Sequence, residues 1–317
     1  MPIVPEALRD LASSFEGRSI ISMRDFSTDE ILMILEVAKS FESERRPLLQ
    51  GRILGSLFFE PSTRTRISFD TAMKRLGGQV IGFVDPSSTS LEKGESLDDT
   101  IRVVEGYCDA IIMRHPFEGA ARLADDTTRL PVINGGDGSN QHPTQTFLDL
   151  YTLKKAKGTL EGLKIAFVGD LKFGRTVHSL AETMARFSPK LHLISPPSLR
   201  MPRHILDELA ETGGGFTEST DLEAIEPGVD VIYATRIQKE RFPDFMEYER
   251  VKNAYSLDAS LLDKVGRNVS ILHPLPRVNE IHPSLDDYEG ALYFRQAHNG
   301  VIVRMALLAL LLGACNE

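Results

Sequence analysis

Short apolar segments rich in Val, Ile, Leu and Phe alternate along this chain with stretches whose apolar residues recur at helical spacing, and no other feature constrains the fold as much. Parallel strands need a crossover long enough to hold a helix, so such an alternation builds parallel sheets covered by helices. The fold class is therefore α/β. In the first half, residues 53–59, 80–84 and 110–113 read as strands, and residues 65–76 as a helix with Phe69, Ala72, Met73 and Leu76 on one face. In the second half the strands fall at 164–168, 191–195, 229–234 and 269–272, each short and apolar as interior parallel strands are.

A length of 317 residues exceeds the size at which one core keeps growing, so two domains are expected with a cleft available between them. The polar stretch 154–162 holds two glycines and precedes a fresh strand. That places the domain change just before it, with 1–149 in one domain and 150–297 in the other. A net charge of −9 argues against a nucleic-acid surface, which needs a basic stripe. The two cysteines, Cys108 and Cys315, are too few for a disulfide framework or a metal cluster and fit a reducing cytoplasm. Residues 1–15 lack the apolar core of a signal peptide, and the apolar run 305–313 is too short to cross a bilayer, so a cytoplasmic protein with no membrane contact is expected.

The first chemical constellation is Phe58-Phe59-Glu60-Pro61-Ser62-Thr63-Arg64-Thr65-Arg66, a strand entering a helix through hydroxyls and guanidinium groups. A helix N-terminus offers unpaired N–H donors, and arginine adds a fork of donors matched to phosphate oxygens. The competing reading makes Ser62 or Thr63 a plain helix cap. A second constellation, Asn140-Gln141-His142-Pro143-Thr144-Gln145, puts Pro143 in a first helical turn and His142 and Gln145 one turn apart, where both can face one ligand. A third, Gly169 to Thr176, meets the P-loop pattern G-x-x-x-x-G-K-S/T except that Arg175 stands in for the lysine, and a second acidic motif for magnesium is missing. Arg114-His115-Pro116, Ser90 to Glu95, Thr235 to Arg241 and His273 to Arg277 add basic groups in loops or at strand ends, where open α/β sheets form their ligand crevice.

Taken in order, Ser-Thr-Arg-Thr-Arg at 62–66, Arg-His-Pro at 114–116, His-Pro-Thr-Gln at 142–145, Gly-Arg-Thr-Val-His-Ser at 174–179, Arg-Ile-Gln-Lys-Glu-Arg at 236–241 and His-Pro-Leu-Pro at 273–276 resemble the catalytic chains of the aspartate carbamoyltransferase family over essentially the whole length. The resemblance implies an amino-terminal domain for carbamoyl phosphate, a carboxy-terminal domain for aspartate, and a last helix, 298–317, returning to the first domain. It implies Ser62, Thr63, Arg64 and Thr65 around the phosphate, with Thr65, Arg114 and His142 at the carbonyl oxygen. Gln145 with the Pro274–Leu275–Pro276 segment would hold the carbamoyl amide. Arg175, Arg236, Gln238 and Lys93 would take the carboxylates of aspartate, and Glu60 would orient Arg175 and Arg241. It further implies a homotrimer in which the loop bearing Ser90 and Lys93 reaches the neighbouring subunit's site. The stretch 169–179 and Glu118 look most like catalytic chains that assemble with separate zinc-bearing regulatory chains; no zinc site is expected in this chain itself.

The activity so implied needs no cofactor and no covalent enzyme intermediate, since carbamoyl phosphate carries its own leaving group. Donors aimed at the developing oxyanion, with Arg64, Thr65, Arg114 and His142 as candidates, supply the stabilisation. The nearest rival is a carbamoyltransferase acting on ornithine. The cations Arg175, Arg236 and Lys93 suit a dianionic acceptor instead, and the His-Pro-Leu-Pro segment lacks the cysteine usual in ornithine enzymes. A catalytically silent scaffold is the alternative from another class.

Overall fold

The computed structural model describes residues 3–43, 46–84, 93–239, 242 and 244–315. The chain divides into two compact units, Met1–Tyr151 with His298–Glu317, and Thr152–Ala297. The division, between Tyr151 and Thr152, falls inside the helix Pro143–Lys157 and just ahead of residue 154.

The first unit carries the parallel strands β1 (Ile53–Phe58), β2 (Gln79–Phe83), β3 (Ala110–His115) and β4 (Val132–Asp137) in the order β2-β1-β3-β4. Its helices are α1 (Arg9–Ser13), α2 (Thr28–Ser40), α3 (Thr63–Arg75), α4 (Leu97–Glu105) and α5 (Ala120–Thr127), and α6 (Pro143–Lys157) starts in it. Helix α2 opens on a capping box in which Ser27 accepts from Glu30 N and the Glu30 carboxylate accepts from Ser27 N. Ile31, Ile34, Leu35 and Ala38 then repeat at helical spacing and are buried, as are Phe69, Ala72 and Met73 of α3. The core under the sheet gathers Leu57, Ile101, Ile111, Met113, Ala121, Ala124 and Val132.

The second unit repeats the logic with β5 (Lys164–Val168), β6 (Lys190–Ile194), β7 (Gly215–Ser219), β8 (Val231–Ala234) and β9 (Ser270–Leu272), all parallel, in the order β7-β6-β5-β8-β9. Helices α7 (Arg175–Met184), α8 (Arg203–Glu211), α9 (Phe245–Val251) and α10 (Leu261–Val265) belong to it, and α11 (Tyr293–Leu311) starts in it and ends in the first unit. The predicted α7 face of Val177, Leu180, Ala181 and Met184 is buried. The central strands β1, β5 and β8 are buried almost throughout, while every residue of the edge strands β2 and β7 is exposed or half-buried.

Strands β4 and β7 are additions to the sequence reading. In β4, Asn134, Gly135, Gly136 and Asp137 are poor strand formers, and the segment reads as a glycine-rich loop. Pairing with β3 overrides that preference, and the open edge of β4 is covered where Ile20 N donates to Val132 O and Asn134 N to Ile20 O.

Candidate active site

In each sheet the strand order reverses once, and the loops leaving the carboxyl ends of the strands on either side of the reversal form the ligand crevice of an open α/β sheet. In the first unit that point lies between β1 and β3, so the loops concerned are those leaving Phe58 and His115. In the second it lies between β5 and β8, so they are those leaving Val168 and Ala234. The predicted motifs at 62–66, 114–116, 169–175 and 235–238 follow these four strands.

In the first unit, register pairs Phe58 with Arg114, and Phe59 N donates to Arg114 O at 2.8 Å, which ties the start of the 59–66 turn to the end of β3. Ser62 occupies the N-cap position of α3 with extended backbone, yet its side chain makes no capping bond. The first turn of α3 holds no acid and carries Arg64 and Arg66. That arrangement opposes the ordinary preference for negative charge at a helix start. The opposition disappears once an anion sits on the first-turn N–H groups. A concavity lined by Phe58, Pro61, Ser62, Thr63, Arg66 and Val84 lies at this turn. Competition from Asp70, 3.3 Å from Arg66 Nη1, tethers Arg66 along the helix.

Arg114 is mostly buried; its Nε lies 2.7 Å from Glu60 Oε1 and its Nη1 3.4 Å from Gly135 O. Within its own unit Glu60 pairs with Arg114. Thr65 and His142 are both buried, with Thr65 Oγ1 and His142 Nε2 3.5 Å apart and Thr144 Oγ1 3.4 Å from His142 Nδ1. Gln145, one turn along α6, donates from Nε2 to Asp149 Oδ1 at 2.9 Å, so its carbonyl oxygen is left to act as an acceptor. His115 packs against Phe59 at 4.8 Å between ring centroids; burial holds its pKa below the ordinary value against the nearby charges of Glu60 and Asp137. Lys93 is exposed, and Ser90 and Arg241 lie outside the described residues.

Two buried residues of this region escape the sequence reading. Asn134 donates from Nδ2 to Ile21 O and Asp137 Oδ1, and accepts from Gly136 N. Asp137 accepts from Gly119 N, Asn140 Nδ2 and Gln141 N. Together they fold the loop that delivers His142. The available signal was the polar pair Asn134 and Asp137 following apolar Val132-Ile133, a combination that is costly in a core unless its hydrogen bonds are met.

In the second unit Gly169 has φ +120°, and a Cβ there would lie 2.2 Å from Thr235 O. Only glycine lets the ends of β5 and β8 close to the 2.8 Å bond from Thr235 N to Val168 O. Asp170 Oδ1 accepts from Lys172 N and Phe173 N, shaping a loop that ends on Gly174 and starts α7 at Arg175 without a side-chain cap. Arg175, Arg236 and Gln238 are half-buried on these two loops. Pro274, Leu275 and Pro276 follow β9, with a cis bond between Leu275 and Pro276 and Leu275 at φ 57°. His273, fully buried, accepts from Leu275 N at Nδ1 (2.8 Å) and donates from Nε2 to Glu280 (2.8 Å), and its own N–H is met by Gln296. Burial works to raise the Glu280 pKa, but the hydrogen bond from His273 and the backbone donors bring it below the ordinary value. This triad holds Leu275 in a left-handed conformation that costs a non-glycine residue about 1–2 kcal/mol.

The geometry thus comprises an acid-free helix start at α3 with no side-chain cap, the buried Thr65–His142 contact and the Glu60–Arg114 pair in the same unit, and, on the other unit, a separate set of guanidinium groups at the matching switch point. Among the described residues no cluster of His, Cys, Asp and Glu is arranged to hold a metal. Comparison with known proteins points the same way. Residues 18–155 match the family model described as aspartate/ornithine carbamoyltransferase, carbamoyl-P binding domain, and residues 161–311 its Asp/Orn binding domain. The aspartate carbamoyltransferase catalytic subunit of Thermococcus gammatolerans is 58% identical over 304 residues, covering 94% of this chain and 99% of that protein. That of Methanopyrus kandleri is 56% identical, covering 95% and 99%. Among solved structures, the catalytic subunit of M. jannaschii aspartate transcarbamoylase superposes with TM-score 0.85 at 50% identity, covering 92% of this chain and 96% of that one. The Trypanosoma cruzi aspartate transcarbamoylase in complex with carbamoyl phosphate and aspartate does so with TM-score 0.90 at 38% identity, covering 95% and 98%. With both units matched by the two domain models, the chain belongs to the aspartate/ornithine carbamoyltransferase family.

Proposed function

We propose that this chain transfers the carbamoyl group of carbamoyl phosphate to the amine of L-aspartate, giving N-carbamoyl-L-aspartate and phosphate. The observation that carries the reading is the start of α3: an uncapped, acid-free first turn with Arg64 and Arg66, beside the buried Thr65–His142 contact and the Glu60-paired Arg114. In this reading Ser62, Thr63, Arg64 and Thr65 hold the phosphate, while Arg64, Thr65, Arg114 and His142 donate to the carbonyl oxygen. Gln145 and the carbonyls of Pro274 and Leu275 receive the carbamoyl amide, with Pro276 closing that segment. Arg175, Arg236 and Gln238, with Lys93 and Ser90 from a neighbouring subunit of a trimer, take the aspartate carboxylates. The acceptor being aspartate is supported by the relatives at 52–58% identity, which carry the name aspartate carbamoyltransferase catalytic subunit. The place of the reaction is pyrimidine biosynthesis in the cytoplasm.

The steps balance without further reactants. The neutral amine nitrogen attacks the carbonyl carbon, the carbonyl oxygen takes the negative charge against the arginine and imidazole donors, the bond to the phosphate oxygen breaks, and the departing phosphate accepts the amine proton. Each well-placed donor to the oxyanion contributes roughly 3–4 kcal/mol in enzymes of comparable design. The test is carbamoyl transfer by the purified chain with aspartate and ornithine in parallel, following the carbamoylated product. Turnover with aspartate alone is expected. Turnover with ornithine would show the acceptor roles of Arg175, Arg236 and Lys93 to be misassigned, and turnover with neither would leave a silent scaffold.

A further inference from the structure

Between His142 and Gln145 stands a threonine to which the proposed reaction assigns no role. Thr144 lies in the first turn of α6, is fully buried, and places its Oγ1 3.4 Å from His142 Nδ1. On the other side of the ring, Oγ1 of Thr65, from the first turn of α3, lies 3.5 Å from Nε2. Each ring nitrogen of the buried imidazole therefore faces one buried hydroxyl. The two hydroxyls are not equivalent. Thr65 belongs to the acid-free turn proposed to hold the phosphate, where a ligand can take its hydrogen. Thr144 is sealed in the interior and, among the described residues, its hydroxyl has His142 Nδ1 as its hydrogen-bond partner. A buried hydroxyl hydrogen without an acceptor is costly, so Thr144 has to donate to Nδ1.

We propose that Thr144 is a positioning residue that sets the tautomer of His142: its hydroxyl donates to Nδ1 and thereby keeps the ring hydrogen on Nε2. A neutral imidazole donates from one nitrogen and accepts at the other, and the partner of one nitrogen decides the state of the other. The opposite tautomer would direct an Nδ1 hydrogen at Thr144, strand the threonine's own hydrogen in the interior, and leave a bare lone pair at Nε2. A lone pair repels a developing oxyanion, whereas an N–H stabilises it. With the hydrogen on Nε2, Thr65 need only accept from the ring and keeps its own hydrogen for the substrate. Both groups assigned to the carbonyl oxygen can then donate, and the threonine that arranges this does so without itself meeting the substrate.

The inference rests on the carbamoyl-transfer reading for its use, and the experiment separates the two. The tautomer of His142 is read by ring-nitrogen NMR of the histidine-labelled chain, its signals identified by their loss in His142→Gln, for the wild type, Thr144→Val and Thr144→Ser. The wild type and Thr144→Ser should carry the hydrogen on Nε2. Thr144→Val, which keeps the shape of the side chain and lacks the hydroxyl, should move the balance toward Nδ1 by up to about tenfold, the weight of one hydrogen bond. Steady-state kinetics should follow. In Thr144→Val kcat is expected to fall about 5- to 10-fold with KM for aspartate within about twofold, the pattern of a donor that acts on the transition state. Thr144→Ser should recover most of kcat. A loss in Thr144→Ser equal to that in Thr144→Val would make the threonine merely structural and overturn the inference, as would an unchanged kcat in Thr144→Val despite a shifted tautomer. Hydrogen on Nδ1 in the wild type at neutral pH, with or without one on Nε2, overturns it even in a chain that transfers no carbamoyl group, and so does a balance that Thr144→Val leaves unmoved. Hydrogen on Nε2 that Thr144→Val displaces, together with no turnover, removes the proposed reaction alone.

Discussion

Arg114 meets three neighbours through three different atoms: its carbonyl anchors Phe59 N, its Nε pairs with Glu60 and its Nη1 faces Gly135 O. Glu60 offsets the cost of holding a mostly buried guanidinium in one place before any substrate arrives. Arg114→Ala is therefore expected to lower kcat about 100- to 1,000-fold, the loss seen when one oxyanion donor is removed, while circular dichroism stays native. An undiminished kcat would remove Arg114 from the chemistry. Two imidazoles tie stability to pH. Burial holds His115 and His178 below their ordinary value of 6.5, and His178 donates from Nε2 to Leu171 O. As pH falls through about 6.5 the unfolded chain takes up these protons first, so stability declines with falling pH until the folded values are passed; above about 6.5 neither state is charged and the dependence stops. Glu280 and Asp286 titrate below 4.5 and 3.8 and act only at lower pH. His178→Gln keeps a donor for Leu171 and removes one proton, so its urea midpoint should fall less than that of the wild type between about pH 7.5 and about pH 5.5. Parallel losses in the two proteins would exclude His178 as a source.

Three helices of the first unit are headed by a serine, Ser27, Ser62 and Ser96, and they differ in what that serine does. Ser27 is bonded into a capping box, whereas Ser62 makes no capping bond and heads a turn with arginines in place of acids. Ser27→Ala should cost about 1 kcal/mol of stability in urea titrations with carbamoyl phosphate affinity unchanged. Ser62→Ala should leave stability nearly unchanged and weaken that affinity; a stability loss matching that of Ser27→Ala would mean that Ser62 is an ordinary cap after all. The same contrast explains what could be read in advance. Strands β1, β3, β5 and β8 advertise themselves by continuous apolar residues, and the buried faces of α3 and α7 by helical spacing. Strand β4 does not, because its Asn-Gly-Gly-Asp end is chosen for the hydrogen bonds that fold the His142 loop, and β7, an exposed edge, has only half a face to declare. The motif residues were legible one by one; the Glu60–Arg114 pair and the Asp149–Gln145 bond were not, since both join residues whose relation exists only after folding.

At the scale of the whole molecule, two sheets of different strand number apply one rule, reversing strand order once and placing their basic loops at that reversal. Each unit has its own apolar core. What a single chain does not supply, in the trimer we infer, is Lys93 for its own site. Lys93 is exposed, as a residue serving a neighbour must be before assembly. The consequence is quantitative. Chains carrying Arg64→Ala and chains carrying Lys93→Ala should each be nearly inactive as pure trimers, because every site lacks one group. In trimers reassembled from equal amounts of the two, a site works when its own chain retains Arg64 and its neighbour retains Lys93, so independent assortment restores about one quarter of wild-type activity. Sites confined within single chains would always lack one of the two groups and recover nothing. Sedimentation of the mixture establishes that mixed trimers have formed; their presence without recovered activity would place Lys93 in its own chain's site, and activity near one quarter would require that each site be built from two chains.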